Sequence, residues 1–203
     1  MKKIFFSDKL GLTQAVLDGR KTMTRRIFYI PDKFVPYLYI YDIFDIVDDC
    51  IIWKDKSDNI RMTFEPKYKV GEVVAIAQSY ESVYHECGLE TMDMLVSKLK
   101  YSVGWTNKMF VKADLMPHHI KITDIKVERL QDISDEDCLK YGIYEDSGDD
   151  EFPPSIFYEF EGNKDDGFDT PREAFASLID KVSGKGTWES NPFVFVYEFK
   201  LID

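Results

Sequence analysis

At 203 residues, 44% of them hydrophobic, the chain is long enough to bury its own core, and a single domain over 1–203 is expected. Its formal charge of −11 excludes a protein that coats double-stranded DNA through a broad basic surface, because the field of the whole molecule repels phosphate. Cys50, Cys87 and Cys138 are odd in number and lack disulfide-framework or zinc-ligand spacing, and no run of about 18 apolar residues occurs, so a cytoplasmic protein without membrane association, metal or cofactor is expected.

In chain order, Phe5 and Phe6 end a first strand, and Ser7 or Asp8 caps a short helix with Leu12, Ala15 and Val16 as its buried stripe. Gly19 closes that helix. From Ile27 to Phe64, dense Tyr, Phe and Ile with turns at Asp48-Asp49 and Ser57-Asp58-Asn59 predict a β hairpin or meander insertion. Val73 to Ala77 reads as a central strand entered through Gly71, residues 91 to 99 as a short helix, and Phe110 to Ala113 as a strand. The alternation Ile120, Ile122, Ile125, Val127 predicts a strand over 119–130 with a bulge at Thr123-Asp124, where the phase shifts. Ser134 caps a short helix stopping at Gly142, and the acidic stretch 144–169 reads as a solvated insertion. Thr170-Pro171-Arg172-Glu173 carries a cap, a proline at the first helical position and a glutamate three residues after the cap, so a helix with Ala174, Phe175, Leu178 and Ile179 on its apolar face is expected. Phe193 to Phe199 forms a closing strand after Asn191-Pro192.

The stretch most suggestive of function is Gly19-Arg20-Lys21-Thr22-Met23-Thr24-Arg25-Arg26, which places four cations and two hydroxyls within an acidic chain. Such a concentration beside a helix end suits a small anion site. Lys21 and Thr24 converge only if the backbone bends between them, since alternate residues share a face of an extended segment. Arg20, Lys21, Thr24 and Arg26 are the candidate polar contacts, and Tyr80 and Trp105 the candidate stacking platforms for a base. Trp188 is a further aromatic of that kind. His118 and His119 are adjacent, point to opposite faces of a strand, and are read as structural rather than metal-ligating.

With these motifs in this order, Gly19, Lys21, Thr24 and Arg26 in the octet, then Val70-Gly71-Glu72-Val73-Val74, Ile133-Ser134-Asp135-Glu136-Asp137 and Asn191-Pro192 to Phe199, the chain resembles the ASCH-domain family over residues 3 to 202. The resemblance implies an α+β, β-rich, PUA-like fold: a small β-barrel flanked by short α-helices, with insertions at 28–65, 80–108 and 144–169. It further implies binding of RNA, a nucleotide or a modified nucleobase in a cleft lined by the octet. Phage and mobile-element versions of the domain are common, and the chain has that character. A protein-interaction factor of such an element, using the 28–64 insertion as its contact surface, is another expectation.

Some small members of the family are amidohydrolases that remove the acetyl group from N4-acetylcytidine, and the resemblance would make Thr24 the nucleophile and Lys21 its base. A lysine serves as a base only if its pKa falls from about 10.4 toward 7 or 8. Those enzymes also use a glutamate just before the small residue that ends the helix after the Ser134-like cap. Here Tyr141 precedes Gly142, a departure that counts against catalysis.

Overall fold

The computed structural model describes residues 1–30, 43–55, 57–87, 98–147, 156–163 and 167–202. The described residues form an α+β structure, mostly β, with ten strands and five α-helices. The main sheet has the order β1(Lys2–Ile4), β6(Val73–Ile76), β7(His119–Arg129), β10(Phe193–Leu201), β2(Met23–Ile27). β1 runs parallel to β6 and all other neighbours are antiparallel. β1 and β2 are its edges, and no pairing among the described residues closes it into a barrel.

β7 shows how sequence sets register. Its pairing with β10 steps from Glu198 opposite Asp124 to Phe199 opposite Ile122, so Thr123 is the extra, bulged residue. Without that bulge the even positions Ile120 and Ile122 and the odd positions Ile125 and Val127 would face opposite sides; with it, all four are buried. β10, flanked by β7 and β2, buries Val194, Phe195, Val196 and Tyr197 in succession, as a central strand covered on both faces does.

The helices cover this sheet. α4(Pro171–Ser183) begins where Thr170 accepts a hydrogen bond from the Glu173 amide at 3.2 Å. It buries Ala174, Phe175, Leu178 and Ile179, and ends at Gly184. α5(Thr187–Ser190) follows it. α3(Asp135–Leu139) starts at Ser134, whose hydroxyl accepts from the Asp137 amide at 3.2 Å. A separate antiparallel sheet, β3(Ile43–Val47), β4(Cys50–Lys54) and β5(Ile60–Phe64), turns at Asp48-Asp49 and around Asp58, all three with positive φ. Phe28, just past β2, packs against Phe44 and Phe64 at 6.2 and 4.9 Å and joins that sheet to the main one.

Three elements differ from expectation. α1 spans Leu12–Leu17 and starts after Gly11 without a side-chain cap, because Asp8 is taken by Thr13 and Lys108 instead. Phe110 to Ala113 is not a strand; two 3-10 turns, Lys108–Phe110 and Ala113–Leu115, occupy the region, and the Lys3 ammonium takes the carbonyls of Met109 and Val111 that a strand partner would need. The acidic 144–169 stretch is not all solvated. It pairs β8(Tyr144–Ser147) with β9(Ile156–Glu159), and it buries Phe160, stacked on Phe168 at 6.1 Å. Aromatic burial outweighs the charge of its neighbours there. The helix expected over 91–99 lies outside the described residues except for residues 98 and 99. Among the described residues, no helix is long and apolar enough to cross a membrane.

Candidate functional site

The octet runs from the end of α1 into β2. The amide of Lys21 donates to the carbonyl of Ala15, and Gly19, at φ 73°, makes the reversal that a residue with Cβ resists. Lys21 then forms a single β-bridge with Tyr141 before β2 proper begins at Met23. Gly142, next to Tyr141, has φ 95°, a conformation side chains rarely adopt, and a Cβ there would lie 3.2 Å from that of Ala15. Within β2, Thr24 and Arg26 share one face, while Met23 and Arg25 share the other.

Beside this edge lies a cleft of about 430 Å³, a size suited to a small ligand. Lys21, Thr24, Arg26, Phe6, Tyr29 and Tyr141 contribute to its walls. The segment 5–7 forms one wall and is braced from three directions: Thr13 and Lys108 bond Phe6 and the adjoining Asp8, and the Arg26 guanidinium donates to the Phe5 carbonyl.

Lys21 is 1% exposed. Its Nζ donates to the carbonyls of Met23 at 2.7 Å and Tyr141 at 3.1 Å, and sits 3.2 Å from the centre of the Tyr141 ring. Burial, with the charges of Arg26 and Arg25, holds its pKa well below the usual lysine value of 10.5. Once deprotonated, such an amine keeps two hydrogens for the two carbonyls and has a lone pair that can accept a proton or a donor hydrogen bond. Thr24 is 2% exposed and lines the cleft, and its hydroxyl meets no hydrogen-bond partner among the described residues.

Arg25 performs a different task from its neighbours. Its side chain is fully enclosed, pairing with Glu128 at 2.6 Å and Asp137 at 3.2 Å. Lys126 joins the same two carboxylates at 3.1 and 3.4 Å, and Lys140 reaches Asp137 at 3.2 Å. Sheet register explains the cluster, since Arg25 and Lys126 both lie opposite Val196 and Glu128 is one position further on the same face. Burial by itself would raise the Asp137 carboxyl; the Lys140 hydrogen bond and the charges of Lys126 and Arg25 outweigh it and hold the pKa below 3.8. The network ties β2, β7 and α3 together behind the cleft.

Tyr141 completes the edge. β2 is an outer strand with free backbone groups, and the Tyr141 hydroxyl accepts from the Arg25 amide at 3.1 Å and donates to the Arg25 carbonyl at 3.3 Å. Its hydrogen-bonding capacity is thereby spent on positioning the strand that carries Thr24.

Of the residues picked from sequence, Lys21, Thr24 and Arg26 meet in the cleft. Arg20 does not line it; it is exposed and paired with Asp18 at 2.9 Å. Nor do Tyr80 and Trp105, which pack in a second apolar cluster with Ala75, Val83 and Met116, the Tyr80 hydroxyl accepting from the Lys112 amide. Trp188 packs on Phe175 instead. The aromatic walls are Phe5, Phe6, Tyr29 and Tyr141, of which Tyr29 is 68% exposed at the rim. Nothing in local spacing links them, because five described strands, β3 to β7, separate the octet from Tyr141. His118 pairs with Glu86 at 2.7 Å, and no group of three or more potential metal ligands assembles among the described residues. Cys50 and Cys138 are free thiols, and burial pushes Cys138 up to about 12, leaving it unreactive at neutral pH.

Comparison of the chain with family models, with curated proteins and with solved structures finds no match.

Proposed function

We propose that this chain is an ASCH-type, PUA-like domain whose cleft binds a nucleotide unit, free, modified or within RNA. The observation that carries the reading is that Thr24, whose hydroxyl meets no partner among the described residues, and the buried Lys21 amine line one aromatic-walled cavity. A base edge offers both donors and acceptors, and this pair can answer either. Phe6 and Tyr29 supply apolar faces for the ring, a contact worth about 1–3 kcal/mol per base. Titration calorimetry with cytidine and N4-acetylcytidine tests it: binding weakened at least tenfold by Thr24→Val, with the fold intact by circular dichroism, is expected. Equal affinity for wild type and variant would remove Thr24 from the site.

A second reading, an amidohydrolase acting on an N4-acylated cytidine, is favoured by the depressed pKa of Lys21. A neutral Lys21 would take the Thr24 proton as the threonine oxygen attacks the acyl carbon, forming an acyl-threonine ester and freeing the exocyclic amine once that nitrogen is protonated. Water would then release the acid. Among the described residues no carboxylate lines the cleft to assist, and Tyr141, which the resemblance places at the glutamate position, is engaged with the strand backbone. Acetate release from N4-acetylcytidine that disappears in Lys21→Ala would establish this reading over binding alone.

A further inference from the structure

Beyond Arg26 the cleft adjoins a second cavity of about 320 Å³, and the two share Phe5, Arg26 and Ile27. We propose that this second cavity is a phosphate subsite, formed by Arg26 and Lys67, so that the ligand is a phosphorylated nucleotide unit rather than a free base or nucleoside. The inference rests on the cleft reading above and specifies its ligand.

Two cations face this space without a carboxylate partner among the described residues. Arg26 donates to the Phe5 carbonyl and lies 5.7 Å from the Phe6 ring, and Lys67 stands 5.2 Å from the Tyr68 ring. Lys67 is exposed and Arg26 half-buried, and they stand out in a chain of net charge −11, where the nearby cations Arg25, Lys2 and Lys126 each have an acidic partner. Like charges gather here strongly enough to matter: burial, then Arg26, Lys2 and Lys3, push the Lys67 pKa down. Among the described residues, Glu65 is the one carboxylate on the cavity wall, and it is exposed. The Tyr197 hydroxyl accepts from the Lys67 amide at 2.9 Å, leaving its proton for an oxygen in the cavity. A forked guanidinium, a mobile ammonium and a phenol donor are the set that recognises a phosphate dianion. The register also fits: Arg26 lies opposite Phe195 and Thr24 opposite Tyr197, so the base-facing hydroxyl and the guanidinium are two residues apart on one face of one strand. That is about the reach of one nucleotide, roughly 7 Å of strand.

The test compares cytidine, its 5′- and 3′-monophosphates and inorganic phosphate by calorimetry at low salt, with wild type, Lys67→Ala and Thr24→Val. At least one monophosphate is expected to bind tenfold or more tightly than cytidine, and Lys67→Ala to cut that ratio at least threefold, as does raising the salt. If cytidine binds in a Thr24-dependent way and neither monophosphate gains, the subsite is overturned and the cleft reading stands. A monophosphate gain that survives Lys67→Ala, or a loss of cytidine and monophosphate by the same factor in Lys67→Ala, also overturns the subsite. Failure of every nucleoside and nucleotide to bind overturns both.

Discussion

A lysine amine enclosed as fully as that of Lys21 must either lose its proton or find substitutes for water. Two carbonyls and the face of Tyr141 are partial substitutes, but burial and two nearby guanidinium groups prevail, and its pKa lies well below 10.5. The sign of the consequence follows from linkage. Between the folded pKa and the unfolded value near 10.5, the unfolded chain binds the extra proton, so stability rises with pH across that window and the full penalty falls below it. Urea unfolding of wild type and Lys21→Met at several pH values should therefore show the difference moving toward wild type as pH rises from neutral to about 10. Parallel curves would mean that Lys21 keeps its proton throughout. Arg25 is the contrasting case, a permanent charge held by Glu128 and Asp137.

Edge strand β2 is the element on which the site depends. It is held on one side by β10, on the other by the Tyr141 hydroxyl, and at its start by the Lys21 bridge, so its side chains project into the cleft from a fixed backbone. α4 supports the same region through Phe175, which packs edge-on to Tyr141 at 4.9 Å. The helix start has a measurable share in this. Thr170→Ala removes the hydrogen bond to the Glu173 amide and should cost about 1 kcal/mol, read as a lower urea midpoint with an unchanged m-value. An unaltered midpoint would show that Pro171 alone sets the helix start.

Over the whole molecule, a net charge of −11 means that folding brings like charges together. Added salt screens that repulsion, with a Debye length of about 10 Å at 0.1 M. Salt and ligand should then act with opposite signs. Raising sodium chloride from about 20 to 300 mM is expected to increase the melting temperature by a few degrees while weakening any phosphate-dependent binding. A melting temperature that falls over that range would show that the local ion pairs, such as the cluster around Arg25, outweigh the global repulsion.

Local patterns were enough to place the caps at Ser134 and Thr170, the apolar face of α4 and the bulge at Thr123, because each depends on neighbours within a few residues, and to single out Lys21, Thr24 and Arg26, which line one cleft. What surrounds those three was decided only when distant segments met. Tyr141 reaches Arg25 across 116 residues, Lys67 and Arg26 flank one cavity through the pairing of β2 with β10, and Tyr80 and Trp105, equally aromatic, pack elsewhere. An aromatic side chain gains much the same free energy from burial in a core as from walling a cleft, so composition cannot distinguish the two fates. The packing of the sheet does.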